Sequence, residues 1–230
     1  MSRTIALVED EPHIRDNYAK WFRNHGYEVL EYATKNEAIG AFANSLPDLV
    51  ILDVGLGDEP EAGFELCREL RQQSKTLPII FLSALDTDLD MISGLRLGAD
   101  DYLTKEVSLP FLQARINALF SRVEALSQPE NKDAKMIRGD LVLDKERFTV
   151  SWFDKDLDLT LTEFWMLYAL VERPGHVKKR EQLLKDANII VEDNTITSHI
   201  KRIRRKFEKV TPVFEGIETV YGIGYRWIIK

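Results

Sequence analysis

The chain has 230 residues, 44% of them hydrophobic and 30% charged, with a net charge of −7. This length and apolar content support a packed core in one large or two small domains and exclude a disordered chain. The single cysteine excludes an internal disulfide and a multi-cysteine metal site, and no apolar run comes near the roughly 20 residues of a membrane span.

The opening MSRTIALVEDE puts acids directly behind a short apolar run, unlike a secretory leader, so a cytoplasmic location without membrane association is expected. Charge is unevenly spread. Residues 1–125 carry 12 Lys and Arg against 21 Asp and Glu, a balance of −9, whereas the remainder carries 19 against 17, a balance of +2. The two halves therefore predict different jobs, with nucleic-acid contact in the second.

In chain order, strands are predicted at Thr4–Val8, Glu28–Ala33, Leu49–Asp53, Ile79–Ser83 and Asp101–Thr104. Helices alternate with them over Pro12–His25, Asn36–Asn44, Phe64–Gln73, Asp88–Leu97 and Leu109–Leu126. Parallel neighbours need crossover helices, so this repeat predicts an α/β domain over residues 1–126 with a five-stranded, doubly wound parallel sheet. The polar stretch SQPENKDAK, residues 127–135, reads as a linker. Residues 136–230 then show short strands at Leu141–Leu143, Phe148–Phe153 and Leu157–Leu159. Helices follow at Thr162–Glu172, Arg180–Asp186 and Asn194–Val210, and a closing hairpin at Glu218–Tyr221 and Tyr225–Ile229. That order predicts an α+β winged helix-turn-helix domain.

Function in such parallel sheets collects at the carboxyl ends of the strands. There the first strand ends in Glu9, Asp10 and Glu11, the third in Asp53 and the fourth in Ser83, while Lys105 follows the fifth. Adjacent carboxylates repel unless a cation sits among them, and hard oxygen ligands suit Mg²⁺. Asp53 is then a candidate nucleophile for a phosphoryl group, with Lys105 on its oxygens and Ser83 as a hydrogen-bond donor. The bland alternative, a solvated acid at a strand end, holds for any one of these residues but poorly for all together.

VEDE, Asp53 after Leu52, LSA at Ser83 and GADDYLTK ending in Lys105 resemble the receiver domain of OmpR/PhoB-type two-component response regulators. The resemblance implies that a sensor histidine kinase phosphorylates Asp53. It implies that Glu9, Asp10, Asp53 and the carbonyl of Gly55 hold Mg²⁺, and that Ser83 and Tyr102 form a switch pair. It further implies dimerisation across the fourth helix, fifth strand and fifth helix, with Asp101 to Arg115 and Asp100 to Arg122 as pairs between subunits. Met91 and Phe111 stand where a third ion pair is usual; their alternative is packing inside one subunit. Within the family, GLGDEPEAGFELCREL and LRLGADDYLTKEVSLP resemble the branch paired with dedicated sortase or cell-envelope systems. Two departures stand out. VGLGDEPEAGF after Asp53 puts Gly57 where a proline is usual, in a longer acidic loop, and Glu106 replaces the proline after the lysine, so a trans or strained peptide is expected there.

The helix NTITSHIKRIRRKFEKV carries Ile196, Ile200, Ile203, Phe207 and Val210 as one apolar stripe. Opposite lie Asn194, Ser198, Lys201, Arg202, Arg205 and Lys209, a basic face suited to a major groove. A charge run alone is more often a solvated face, but LTLTEFWMLYALVERPGHVKKREQLL before it and TVYGIGYRW after it resemble the same family's effector domain. That resemblance makes this the recognition helix, puts Thr195 and His199 on phosphates and Arg202 and Ser198 on bases, and brings Tyr221 on the wing to DNA in place of an arginine. It also implies RNA polymerase as a partner, although NIIVED, residues 188–193, lacks the usual Trp-Gly. The product expected is a phosphorylation-dependent transcription regulator and not an enzyme: phosphatases on similar sheets place a second acid where this chain has Gly55. A degenerate receiver that binds DNA without phosphorylation is the other alternative. Cys67 fits a packed hydrophobe better than a redox sensor, and His13, His25, His176 and His199 are too scattered for a metal site.

Overall fold

The computed structural model describes residues 2–84, 88–127, 135–145, 147–186 and 193–228, without the side chains of 88–90, 92, 125–127 and 193–195. The chain divides into two compact units, Met1–Asn117 and Ala118–Lys230. The division falls inside a helix, ahead of the linker expected at 127–135.

The first unit alternates β1 (Thr4–Val8), α1 (Pro12–Asn24), β2 (Glu28–Tyr32), α2 (Lys35–Phe42), β3 (Leu49–Leu52), α3 (Ala62–Gln73), β4 (Ile79–Ser83), α4 (Asp88–Leu97) and β5 (Asp101–Thr104), and α5 (Leu109–Ser127) begins in it. The strands form one parallel sheet in the order β2-β1-β3-β4-β5. Every residue of β3 and β4 is buried, as a parallel strand covered by helices on both faces requires. Ala6, Val8, Val50, Leu52 and Phe81 supply one face of the sheet to a core closed by Phe42, Leu66 and Leu70. Phe64 meets Phe81 edge to face, ring centres 5.2 Å apart, and the Tyr102 ring follows 5.8 Å beyond Phe81. Pro12 opens α1, where the missing N–H is no loss. Thr34 and Glu37 cap α2 reciprocally, Thr34 Oγ1 accepting from Glu37 N and Glu37 from Ala33 N.

Two contacts lock the sheet to its helices near the strand ends. Gly63 N donates to Val54 O at 2.8 Å, and a Cβ on Gly63 would lie 1.9 Å from the carbonyl oxygen of Asp53, so the first turn of α3 rests directly on the end of β3. Arg71, buried in α3, donates to the carbonyls of Gly98 and Leu77 and to Asp100 Oδ2 at 2.8 Å, while Ile79 N donates to the same Asp100 oxygen. This buried pair fastens α3, β4 and the start of β5 together.

The second unit holds an antiparallel sheet of β6 (Lys135–Arg138), β7 (Leu141–Asp144), β8 (Thr149–Trp152) and β9 (Lys155–Asp156), followed by α6 (Leu161–Glu172), β10 (Lys178–Lys179), α7 (Arg180–Asp186), α8 (Asp193–Glu208), β11 (Ile217–Val220) and β12 (Gly224–Trp227). The last three strands pair in the order β10-β12-β11. This is the expected winged-helix layout with two corrections. Ser127 belongs to helix α5 and Lys135 to strand β6 rather than to the linker. Leu157–Leu159 is not a strand, because the pairing stops at Asp156 and Leu157 N turns back to Val150 O at 2.7 Å to lead into α6.

Gly63 and Gly40 offer opposite outcomes. Gly63→Ala is expected to cost about 1–3 kcal/mol because backbone must shift to admit the methyl group, whereas Gly40→Ala, in α2 with nothing within 4 Å of its Cβ position, is expected to stabilise by roughly 0.5–1 kcal/mol through helix propensity. Urea unfolding of both variants checks the pair, and equal midpoints would contradict the packing at Gly63.

Candidate functional site

Register alone brings the acids together. β1 pairs with β3 from Ile5–Leu49 to Val8–Leu52, so Glu9 and Asp10 leave the sheet beside Asp53. One carboxylate oxygen from each of Glu9, Asp10 and Asp53 lies within 4.8 Å of the others. Lys105 Nζ sits 2.7 Å from Asp53 Oδ2, 2.8 Å from Glu9 Oε1 and 3.3 Å from Glu11 Oε1. Its backbone is held as well, Lys105 N donating to Ser83 O at 2.9 Å and the Tyr18 hydroxyl reaching Lys105 O at 3.4 Å. Among the described residues no peptide is cis, so Lys105–Glu106 takes the trans form, the unstrained of the two alternatives.

Burial and charge set the protonation of the cluster. Burial raises the Glu9 carboxyl to about 7, with Asp53 adding to the rise and Lys105 opposing it. Asp53 is raised by burial too, against the hydrogen bond from Lys105 and that from Val54 N. Burial depresses Lys105, but its bonds to Asp53 and Glu9 outweigh this and hold the ammonium above the ordinary lysine range. A single cation thus serves two buried carboxylates, and the oxygen donors fit a further hard cation such as Mg²⁺.

The loop after Asp53 closes on itself. Leu56 and Glu59 exchange both backbone hydrogen bonds around Gly57 at φ +62, and Gly57 N donates to Asp10 Oδ2 at 3.0 Å. Lys35 Nζ ties it to the body through Glu59 at 2.8 Å and Glu65 at 2.6 Å. Gly55 lies two residues after Asp53, beyond Val54, at the base of this loop. Ser83 is buried at the end of β4, the neighbouring strand, and Tyr102 is buried against Phe81.

The charged pairs expected between subunits are engaged within one chain. Arg115 Nε donates to Asp101 Oδ2 at 2.6 Å, Asp100 is held by Arg71, and the buried Arg122 donates to Thr162 Oγ1 at 3.1 Å. Buried charges need partners wherever they lie, and within the chain Asp100 finds Arg71. Met91 packs against the first unit's core, whereas Phe111 is 43% exposed beneath the Arg115 guanidinium, 5.3 Å from its ring centre.

In the second unit α8 buries Ile196, Ile200, Ile203 and Phe207 as expected. Lys201, Arg205 and Lys209 are exposed and Ser198 is half-buried. Arg202 and His199 are corrected: both are buried, and neither offers its side chain to a ligand. Arg202 Nε lies 2.8 Å from Glu163 Oε1, and Lys206 bonds the other oxygen of the same acid. Glu163 is there because it caps α6, accepting from Thr160 N at 2.8 Å. Burial alone would raise its carboxyl, but Arg202 and Lys206 bring it down to about 2. His199 is lowered to about 3 by burial and then by Arg202. The side chains of Asn194 and Thr195, and the NIIVED loop up to residue 192, lie outside the described residues.

Two residues that the helical wheel alone leaves aside, half-buried Arg204 and exposed Thr197, brace the helix. Arg204 bonds the carbonyl of Ile217 at 2.9 Å and Thr219 Oγ1 at 2.8 Å, and Thr197 Oγ1 lies 3.3 Å from the Tyr225 hydroxyl, so α8 is fastened to the β11–β12 hairpin. Between them opens a groove of about 770 Å³ lined by Lys179, Arg180, Lys201 and Arg204 against the single acid Glu181, with Tyr221 at the hairpin tip. Its basic lining suits a polyanion.

Residues 5–117 match the family described as response regulator receiver domain, and residues 154–227 that described as transcriptional regulatory protein, C terminal. The chain is 37% identical over 235 residues to the transcriptional regulatory protein BaeR of Escherichia coli, covering 97% of this chain and 92% of BaeR. It is 37% identical to the transcriptional regulatory protein CreB of Escherichia coli over 96% of both chains. Among solved structures, a RitR mutant superposes with a TM-score of 0.76 at 26% identity over the whole of both chains. The response regulator DrrB, a Thermotoga maritima OmpR/PhoB homolog, gives 0.53 at 29% over 99% of this chain and 100% of that one.

Acid should loosen the second unit in two steps. His199 stays neutral when folded down to about 3 but charges near 6.5 when unfolded, so its contribution is complete above pH 6.5 and is lost as pH falls toward 3. Glu163, about 2 against an ordinary 4.5, adds a loss below pH 4.5. Glu163→Gln strands Arg202 and Lys206 and is expected to cost about 3–5 kcal/mol at neutral pH and to erase the lower step. Denaturant midpoints followed across pH check this; a midpoint insensitive to pH in the wild type would contradict it.

Proposed function

The chain belongs to the OmpR/PhoB family of two-component response regulators, a receiver domain joined to a transcriptional regulatory domain, and from that premise we propose that Asp53 is the phosphoacceptor. The carrying observation is Lys105 Nζ at 2.7 Å from Asp53 and 2.8 Å from Glu9 at the carboxyl edge of a parallel sheet. An Asp53 oxygen attacks the phosphorus of a phosphohistidine on the partner sensor kinase. The new O–P bond forms as the N–P bond breaks, and the imidazole leaves with its electron pair. Glu9, Asp10, Asp53 and the Gly55 carbonyl would hold a Mg²⁺, which when bound would supply positive charge to offset the incoming phosphoryl group. Lys105 follows the transferred oxygens, and Ser83 donates to one of them as Tyr102 repositions with it.

Phosphorylated receivers then pair, in the cytoplasm, through the α4, β5 and α5 face. Phe111 is the apolar anchor of that face, with Met91 and Arg115 beside it. Pairing brings two effector domains to direct-repeat half-sites, where Lys201, Arg205 and Ser198 of α8, with Asn194 and Thr195 at its start, enter the major groove and Tyr221 lies on the wing. RNA polymerase is the partner that reads the outcome. The basic groove beside α8 supports the DNA half of this reading.

Acetyl phosphate with Mg²⁺ should add one phosphate to the wild type and none to Asp53→Ala by intact-protein mass spectrometry, and genome-wide footprinting should lose its sites in the same variant. Phosphate on Asp53→Ala, or unchanged footprints, would sink the assignment. Because Glu9 holds its proton up to about 7, Mg²⁺ affinity measured calorimetrically should weaken as pH falls through 7. Glu9→Gln should bind the ion more weakly with a flatter pH dependence; equal affinity at pH 6 and pH 8 in the wild type would count against Glu9 as a ligand.

A further inference from the structure

We propose that Lys35 is a positioning residue for Asp10, acting through the loop after Asp53, and that it thereby sets how readily the acidic cluster takes up Mg²⁺. This rests on the phosphoacceptor reading above and adds to it a residue on a helix that carries none of the acids.

Lys35 stands where helix electrostatics disfavours it. Thr34 caps α2, so Lys35 is the first residue of that helix, at the end where the dipole repels a cation. A residue that breaks a local rule points to a gain elsewhere, and the Lys35 ammonium reaches Glu59 Oε2 at 2.8 Å and Glu65 Oε2 at 2.6 Å. An exposed ion pair is worth little. The Lys35 side chain, however, is only 16% exposed and holds two acids at once, one in the loop and one in α3.

From Glu59 the hold passes to Asp10 in two steps. The main chains of Leu56 and Glu59 exchange hydrogen bonds at 3.0 and 3.2 Å, which closes a turn with Gly57 at φ +62. That turn aims Gly57 N at Asp10 Oδ2, 3.0 Å away. Proline, usual at this position in the family, has neither the N–H nor access to a positive φ, so the contact belongs to this chain's loop and not to the usual one.

The main chain of Asp10 is held separately, its carbonyl and that of Glu9 accepting from Arg15 Nη1 at 3.3 and 2.6 Å. What the loop adds is the side chain. Asp10 is half-buried whereas Glu9 and Asp53 are buried, so of the three acids it has the most freedom to turn toward solvent. A carboxylate accepts at both oxygens; fixed at Oδ2, Asp10 keeps Oδ1 for a cation. Ordering the side chain beforehand removes a cost otherwise met on binding.

Charge and position predict opposite signs for the loss of Lys35. Lys35→Ala removes a cation and releases two acids on and beside the loop that meets the cluster, which by Coulomb's law alone favours Mg²⁺. Loss of position disfavours it. Mg²⁺ dissociation constants of the full-length, unphosphorylated protein, measured calorimetrically above pH 7 where Glu9 is ionised, decide between them. Lys35→Ala should bind about 3- to 10-fold more weakly, the worth of one preordered side chain. Lys35→Arg, which can still bridge both acids, should stay within about twofold of wild type. Gly57→Pro should lose as much as Lys35→Ala, whereas Gly57→Asn, which keeps the N–H and tolerates a positive φ, should retain wild-type affinity.

Two further readouts separate positioning from general damage. In metal-free Lys35→Ala the Gly57 amide proton should move upfield as its bond to Asp10 weakens, and in phosphorylation by acetyl phosphate the lost rate should return at high Mg²⁺. Alanine is the better helix former at the start of α2, so the variant should fold, checked by circular dichroism. Equal or tighter Mg²⁺ binding by Lys35→Ala overturns the inference alone, as does a Gly57→Asn loss equal to that of Gly57→Pro. Failure of the wild type to bind Mg²⁺ overturns the phosphoacceptor reading and this inference with it.

Discussion

One ammonium shared between two buried carboxylates organises the first unit. Parallel pairing of β1 with β3 obliges Glu9 and Asp53 to emerge side by side, and their mutual repulsion would open the sheet edge without a counter-charge. Lys105 provides it from the end of β5, two strands away from β3 in the sheet order, which is why its own backbone is anchored to Ser83 and approached by Tyr18. Burial, with Asp53 alongside, still raises the Glu9 carboxyl against that ammonium. A cluster left short of positive charge is prepared to take up a metal cation, and a lysine already on Asp53 is prepared to follow whatever that oxygen becomes bonded to.

The second unit uses the same economy of charge for a different end. Glu163, fully buried as the cap of α6, binds Arg202 and Lys206 from one flank of α8 and so sets how that helix is rotated on its support. Arg204 fastens the opposite flank to the hairpin. Three of the five Lys and Arg residues of α8, Arg202, Arg204 and Lys206, are thereby structural, and the exposed basic sector is narrower than a count of basic residues implies. Specificity in position is gained where charge is withdrawn from solvent.

The architecture was legible in the sequence because hydrophobic period and strand length carried it: LVIL and IIFLS can only be strands covered on both faces, and the acids that follow them mark the edge where chemistry gathers. The acidic site was legible for the same reason, since each member is a neighbour of a strand end. The charged partners were not. Asp100 and Arg71 are far apart in the chain, and nothing local distinguishes a buried arginine such as Arg202 from exposed Arg205 three residues on. A helical wheel assumes that polar residues face water; a buried acid on a neighbouring helix breaks that assumption without leaving a trace in the helix itself. Two-residue strands such as β9 and β10 are set by their pairing partners and lack the length for a pattern of their own.

The closed loop after Asp53 has a consequence for how such a protein can change. Its two ends are stapled by the Gly63–Val54 hydrogen bond and its middle by the Leu56–Glu59 exchange, so the turn at Gly57 and Asp58 meets the acidic cluster through the Gly57 N bond to Asp10 and takes no part in the framework that holds Asp53. Lengthening a loop costs only about 0.6 kcal/mol per doubling. The turn is therefore a place where evolution can insert residues beside the acidic edge, or an engineer can graft a fluorophore or recognition peptide, while β3 and α3 on either side of it keep their spacing.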